Sequence, residues 1–264
     1  MTQTASQSGL GAGSKSAPSL RSATGGESGK GGLRMSRNAT TTAVGIIIAQ
    51  YGQSALTQLC VASLRTAHPE TPVFVIDDGS PNGQDRRELQ RACWKQVTIV
   101  SQHRNSGVTQ AWNAGAEICR ERMNPEFLVF LNNDVVTTGP WLPRLLAPLG
   151  QGTILLTGPA QRREQSLPQL MLSELPTTQF LEGWCLAIRT ETFVAQGGFD
   201  ATMRLYFSDT DLQCRLLAER RDAIQVVDGL PLTHLGHQST QTHPQRSHLW
   251  RRDRERFMAK WFPR

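Results

Sequence analysis

The sequence predicts an α/β fold: an open, mostly parallel sheet flanked by helices on both faces, behind a disordered N-terminal tail. Three observations support this. Short continuous apolar runs, typical of strands buried on both faces, recur through the first half of the 264 residues. Between them lie segments whose apolar residues return at helical spacing. The polar clusters fall where the runs end, which in such sheets is where ligands bind.

Residues 1–42 are mostly Gly, Ser, Thr and Ala, with almost no large apolar side chain. A segment of this kind buries too little surface to offset its ordering entropy, so a disordered tail is expected. Its Gly26-Glu27-Ser28-Gly29-Lys30-Gly31 stretch is not a phosphate loop. Thr24 stands where the first glycine is needed, Gly31 replaces the Ser or Thr, and no strand precedes it.

From residue 43 the texture changes. Val44–Ala49 reads as the first strand. Leu56, Leu59, Cys60 and Leu64 mark a helix, with Ser54 as its cap. Val73–Ile76 is the second strand and runs into Asp77-Asp78-Gly79-Ser80, with a short polar helix after it. Val97–Val100 is the third strand, and Val108, Ala111, Trp112, Gly115 and Cys119 mark the next helix. Phe127–Leu131 is the fourth strand and ends in Asn132-Asn133-Asp134. Pro140 suits the first turn of the helix that follows, and Ile154–Leu156 is the fifth strand. This βαβαβαβαβ order implies a parallel sheet.

The second half is less regular. Residues 159–178 hold three prolines and no clear period, and read as a connecting loop. Phe180–Arg189 reads as a strand, then Thr190–Gln196 as a short helix closed by Gly197-Gly198. Ser208 opens another helix, with Asp211 as its capping-box partner and Leu212, Leu216 and Leu217 on its apolar face. Ile224–Val227 is a last strand and Ser247–Trp261 a terminal helix.

Composition narrows the function classes. No apolar run approaches the roughly 18 residues that span a bilayer, and the first residues hold no apolar signal segment, which predicts a protein that is not exported. Cys60, Cys93, Cys119, Cys185 and Cys214 are odd in number and form no CxxC pair, as expected of reduced thiols in a cytoplasm. The net charge is +6, with much of the excess in Arg246, Arg251, Arg252, Arg254, Arg256, Lys260 and Arg264. Such a run can meet acidic lipid, nucleic acid or a phosphorylated substrate; a solvated helix face, interrupted by Asp253 and Glu255, is the plainer reading.

Several clusters could support chemistry, each with a plainer alternative. Asp134, beside Asn132 and Asn133 at a strand end, can hold a divalent cation that also binds a diphosphate, or can simply form a turn. Asp77 and Asp78 can receive a base or ribose, although Asp-Gly-Ser is equally a turn. Asn105 and Gly107 add a polar cluster on the same rim. Asp209 and Asp211 lie at a helix start, where the dipole stabilises carboxylates. That suffices for Asp211, whereas Asp209, after Tyr206, Phe207 and Ser208, can be presented to a cleft as a general base. His234 and His237 can bind a metal, though at this spacing they more often do not. Trp184, in Glu182-Gly183-Trp184-Cys185, can stack on a sugar or pack in the core.

Together these stretches resemble family 2 glycosyltransferases of the GT-A fold, rhamnosyltransferase-like members included. The resemblance lies in Val44–Ser54, Val75-Ile76-Asp77-Asp78-Gly79-Ser80, Asn105-x-Gly107 and Trp112-Asn113-x-Gly115. It continues in Phe130-Leu131-Asn132-Asn133-Asp134, Trp141-Leu142, Gly197-Gly198-Phe199-Asp200, Asp209-x-Asp211-Leu212, His234 and Lys260-Trp261. Each motif is weak alone; their order from about residue 43 to 261 is specific. The resemblance implies two halves, a nucleotide-binding one over 43–150 and an acceptor and catalytic one over 151–264.

It also implies an inverting transfer of a hexosyl or deoxyhexosyl group from a UDP-, dTDP- or GDP-sugar to a hydroxyl. Asp77 or Asp78 would bind the nucleoside, with Tyr51 near the base and Asn105, Gly107, Asn113, Asn132 and Asn133 completing the donor site. Asp134 would hold Mn2+ or Mg2+ with the diphosphate, His234 would be a further metal or diphosphate contact, and Asp209 would be the base. Glu182, Gly183, Trp184 and Asp211 would face the sugar and the acceptor. The sequence departs from the family where Ser208 replaces an acidic residue and where only one carboxylate stands in the DxD-like motif.

Two rivals sharing the sheet fail. A nicotinamide dehydrogenase needs GxGxxG after the first strand, which Ala49-Gln50-Tyr51-Gly52-Gln53 is not. A sugar-nucleotide pyrophosphorylase needs a Gly-rich basic loop there. A non-catalytic sugar- or nucleic-acid-binding module of the same fold stays open, as does a transferase acting on a nucleic acid, although no aromatics interleave with the basic residues. The acceptor is left open; a lipid-linked glycan is one class, with the basic terminal helix against the inner face of a membrane.

Overall fold

The computed structural model describes residues 43–167, 173–236 and 245–263. The tail expected over 1–42, and His237, lie outside the described residues. A seven-stranded sheet in the order β10-β6-β9-β4-β1-β2-β3 forms the centre. Its strands are β1 (Val44–Gln50), β2 (Val73–Asp77), β3 (Val97–Ser101), β4 (Phe127–Asn132), β6 (Leu156–Gly158), β9 (Cys185–Arg189) and β10 (Ile224–Val226). Neighbours pair in parallel except at β9, which is antiparallel to both β4 and β6. The fold is the mostly parallel open sheet that the sequence predicts.

Strands β1, β2 and β4 form because their residues are apolar on both faces, whereas the edge strand β3 is only half-buried. Along β1, Ile47 joins one core cluster with Phe74, Leu128 and Phe130, while Ile46 and Ile48 join the other with Val73, Val75 and Val129. Strand periodicity sends neighbouring side chains to opposite faces, so a sheet covered on both sides needs unbroken apolar runs. Each fully buried isoleucine contributes about 1.5–3 kcal/mol.

Helix α3 (Val108–Met123) covers the first face with Trp112, Ala116 and Cys119. The second face is covered by α1 (Ser54–Ala67) and α4 (Leu142–Leu146), through Cys60, Val61, Leu64, Leu142 and Leu145. The polar α2 (Gly83–Arg91) buries only Leu89. The buried cysteines are free thiols, and their loss of water pushes the Cys60 and Cys119 pKa values up to about 12.

Several expectations need correction. Gln53, not Ser54, is the N-cap of α1, and the Ser54 hydroxyl donates to Glu88 instead (2.6 Å). Pro143, not Pro140, occupies the first turn of α4. The fifth strand begins at Leu156 rather than Ile154, because the Leu155 and Leu156 amides donate to Ala223 (2.7 and 3.0 Å). The predicted strand over 180–189 is two. β8 (Gln179–Leu181) pairs with β7 (Gln161–Arg163) in a separate ribbon, and β9 enters the main sheet after a break at Glu182–Trp184. β7 lies inside the segment read as a loop.

A second ribbon pairs β5 (Val135–Thr137) with β11 (Leu232–His234), bringing His234 opposite Val135. After α5 (Thr190–Ala195) comes α6 (Ser208–Glu219), whose N-cap is Phe207; Ser208 forms no capping box with Asp211. The terminal helix is α7 (Arg246–Trp261). Much of its basic run is engaged within the chain, Arg254 with Ser166, Arg256 with Thr202, and Lys260 with Asp200 and Asp211. No helix among the described residues is long and apolar enough to cross a membrane.

Candidate active site

The carboxyl ends of β1, β2 and β4 open onto one cleft of about 510 Å3. Tyr51, Asp78, Asn105, Gly107, Asn132, Asn133, Asp134, Glu182, Gly183, Trp184 and Asp209 all line it. Parallel strands send the ends of β1, β2 and β4 to one edge, the start of the antiparallel β9 brings Glu182–Trp184 to it, and the first turn of α6 adds Asp209, 158 positions after Tyr51.

On one side of the cleft, Asp78 is gripped by the loop after β3. Its Oδ1 accepts from the Ser106 amide and hydroxyl (2.8 Å each), and its Oδ2 from the Gly107 amide (2.8 Å). Burial raises the Asp78 pKa, and these bonds together with Arg204 oppose that rise. Gly107 sits at φ 98°, and a Cβ there would stand 2.4 Å from the Arg204 carbonyl oxygen, so only glycine fits.

Asp77 does not reach the cleft. It is fully buried and accepts from Gln50 (2.6 Å), Ser80 and Arg86 (3.5 Å), which shapes the turn after β2. Asn113 is likewise structural: its amide donates to the Phe199 carbonyl (2.8 Å) and its oxygen accepts from the Phe199 amide (3.0 Å). The assignment of either to the donor is corrected accordingly.

At the end of β4, Asn133 donates to Thr57 (3.1 Å) and fixes the turn that presents Asp134. Asp134 Oδ1 lies 3.2 Å from His234 Nε2. The His234 ring stacks on Trp184 (5.2 Å between centroids, 16° between planes), and the Trp184 indole donates to Glu182 (2.6 Å). Trp184 therefore both packs and lines the cleft. Among the described residues no group of three or more His, Cys, Asp and Glu side chains is gathered for a metal.

Asp209, at the start of α6, keeps 17% of its side chain exposed, enough to meet a substrate. Ser208 beside it accepts from the Thr109 hydroxyl (2.9 Å). Arg162 stands 3.8 Å from Asp209 Oδ2 and donates to Glu164 (2.7 Å) and Thr210 (3.0 Å). Burial would lower the Arg162 pKa, but the charges of Asp209, Glu164 and Glu182 outweigh it and hold the guanidinium more firmly protonated.

Gly183 faces this carboxylate, and a Cβ there would lie 2.5 Å from Asp209 Oδ2. The flexible carboxylate, not the backbone, would have to yield. Gly183→Ala is therefore expected to lower turnover about tenfold or more with little change in melting temperature, since small misplacements of reacting groups cost rate rather than fold. Paired kinetic and thermal measurements check this, and a lowered melting temperature with unchanged kcat would contradict it.

Asp211 belongs elsewhere. It is fully buried, pairs with Arg215 and Lys260 (2.9 Å each) and accepts from the Trp261 indole (2.9 Å). No face is left for an acceptor, which corrects that assignment. Sequence reasoning missed Arg162, Glu164 and Ser166 from the supposed loop, and Leu249 and Trp250 from α7, all of which line the cleft. Arg162 and Glu164 are two apart, a strand-like spacing that puts them on one side, but with no apolar alternation to flag it.

Comparison with known proteins bears on the fold and the family. No curated protein sequence matches the chain. In structure it is similar to a mannosyltransferase of Pyrobaculum calidifontis in complex with GDP-Man and Mn2+. That match has a TM-score of 0.56 at 15% identity, over 82% of this chain and 64% of that one. It is similar to GalNAc-T7 with UDP, GalNAc and Mn2+, with a TM-score of 0.52 at 18% identity over 65% of this chain and 40% of that one. It is also similar to S. aureus TarS 1–349, with a TM-score of 0.53 at 13% identity over 83% and 72%. The chain thus spans less than two thirds of the length of the first two. The family model described as glycosyl transferase family 2 matches residues 45–212, which run from β1 through the turn of Asp134 to the first turns of α6. With that match over more than half of its length, the chain belongs to glycosyltransferase family 2.

Proposed function

We propose that the protein is an inverting, divalent-metal-dependent glycosyltransferase that moves a sugar from a nucleoside-diphosphate donor to an acceptor hydroxyl. The observation behind this is that Asp78, Asp134 and Asp209 line one cleft, each on a separate structural support. Asp78 and the 105–107 loop would receive the nucleoside. Asp209 would take the proton from the acceptor hydroxyl as its oxygen attacks the anomeric carbon. The bond from that carbon to the diphosphate breaks, and the nucleoside diphosphate leaves from the opposite face with inversion.

The residues present fit a metal that arrives with the donor. Asp134 and His234 offer two ligands side by side. Magnesium and manganese are commonly held by one or two protein groups plus substrate phosphates, so a third protein ligand is not required. The metal, Mn2+ or Mg2+, would offset charge growing on the leaving diphosphate. The neighbouring structures that hold Mn2+ with GDP-Man, or with UDP and GalNAc, support this choice.

The test is release of nucleoside diphosphate from UDP-, dTDP- and GDP-sugars with manganese and then with EDTA, wild type against Asp134→Ala. Metal-dependent release from one donor, lost in the variant, is expected. Release that is indifferent to EDTA and to the substitution would remove the metal from the reading. Absence of both donor binding and release would remove these donors altogether.

A further inference from the structure

We propose that Asp253, on the terminal helix α7, is a positioning residue that sets the turn presenting Asp209 to the cleft. The inference rests on the transferase reading above for the role of Asp209. It goes beyond the family match, which ends at residue 212, whereas α7 begins at Arg246.

Asp253 is fully buried, and its Oδ2 accepts from two consecutive backbone amides, Leu205 (2.8 Å) and Tyr206 (3.1 Å). Such charge-assisted bonds are short and directional. The next residue, Phe207, is held at φ 66°, a left-handed conformation disfavoured for any residue with a Cβ. An unfavourable conformation persists only where its surroundings enforce it. Here α7 does so twice, since the Phe207 ring also packs on Phe257 (5.3 Å between centroids) and Trp250 (6.4 Å). Helix α6 starts directly after this turn, with Asp209 in its first turn.

The other flank of the turn is tied to the nucleotide loop. Arg204 donates to the Ser106 carbonyl (2.8 Å), the Asn105 carbonyl (2.9 Å) and Asn105 Oδ1 (3.1 Å). A second arm of α7 reaches Asp209 from the opposite wall. Arg254 donates to the Ser166 carbonyl (2.9 Å), the Ser166 amide donates to Glu164 (2.8 Å), and Glu164 holds Arg162 beside Asp209. Residues 204–209 thus run between the 105–107 loop and α7, and the Asp253 carboxylate binds their backbone from the helix side.

The test compares full-length wild type, Asp253→Ala and Asp253→Asn. Asparagine keeps an oxygen that can accept both amides, whereas alanine removes it. Asp253→Ala is expected to lower kcat for nucleoside diphosphate release about 10- to 100-fold with donor KM within about twofold, and Asp253→Asn to recover most of that loss. Hydrogen exchange supplies an independent readout: in Asp253→Ala the Leu205 and Tyr206 amides should lose protection while those of β1 and β4 keep theirs. The proposal is overturned if kcat per folded molecule is unchanged in Asp253→Ala, if those two amides stay protected, or if β1 and β4 lose protection with them. If the wild type neither binds any of these donors nor releases nucleoside diphosphate from them, the transferase reading fails for them, and exchange at Leu205 and Tyr206 alone then decides whether Asp253 holds the turn.

Discussion

Replacing Asp209 by Asn is expected to lower turnover about 10²–10⁴-fold, the usual contribution of a general base. The substitution keeps size and shape, and removes the ability to accept a proton together with the charge that faces Arg162 (3.8 Å). The backbone at residue 209 is untouched, and its carbonyl goes on accepting from Gln213 (3.2 Å). In the proposed reading the donor meets other groups, Asp78 with the 105–107 loop and Asp134 with His234. Donor affinity should therefore persist, measured by calorimetry with the donor and manganese, while release of nucleoside diphosphate nearly stops. Turnover close to wild type would move the base elsewhere, and joint loss of turnover and donor binding would mean that residue 209 supports the donor site.

Asp211, two residues on, should behave in the opposite way. Asp211→Ala leaves Arg215 and Lys260 without their buried partner, and breaking such a pair costs about 3–5 kcal/mol. The Arg215 guanidinium also holds the Gln196 and Gly198 carbonyls (2.5 and 2.8 Å), so the Gly197-Gly198 turn should loosen as well. A fall in the urea midpoint is expected, with kcat per folded molecule near wild type. Asp211→Asn, which keeps an acceptor for the Trp261 indole, should lose less. An unchanged midpoint with a raised acceptor KM would return Asp211 to the acceptor site.

The contrast between these two residues marks how far the sequence could be read. Asp209 and Asp211 share the first turn of one helix. Arg215, one turn on, and Lys260 and Trp261 of α7 close on Asp211 and leave Asp209 open. The strands β1, β2 and β4 were legible because burial on both faces demands unbroken apolar runs, and Asp78 and Asp134 were legible because they stand just past the ends of two such runs. The antiparallel entry of β9 was not, since pairing direction depends on partners far away in the chain. Nor was the break at Glu182–Trp184, because the need for glycine there comes from Asp209, 26 residues on, and not from any turn. Asp253 looked like an interruption in a basic run; only the amides of Leu205 and Tyr206 give it a role.

The reversed strand has a wider consequence. Since β9 runs against its neighbours, it is the beginning of this strand, Cys185 opposite Leu131, that stands at the ligand rim. The wall formed by Glu182, Gly183 and Trp184 is therefore an approach ramp to the sheet and not a continuation of it. Its last residue is tied to the central sheet, since the Trp184 carbonyl accepts from the Asn132 amide (2.8 Å) and its ring packs in the core. A change at Glu182 or Gly183 can therefore alter what enters the cleft while the central pairs keep their register, whereas a change at Trp184 disturbs the sheet edge as well.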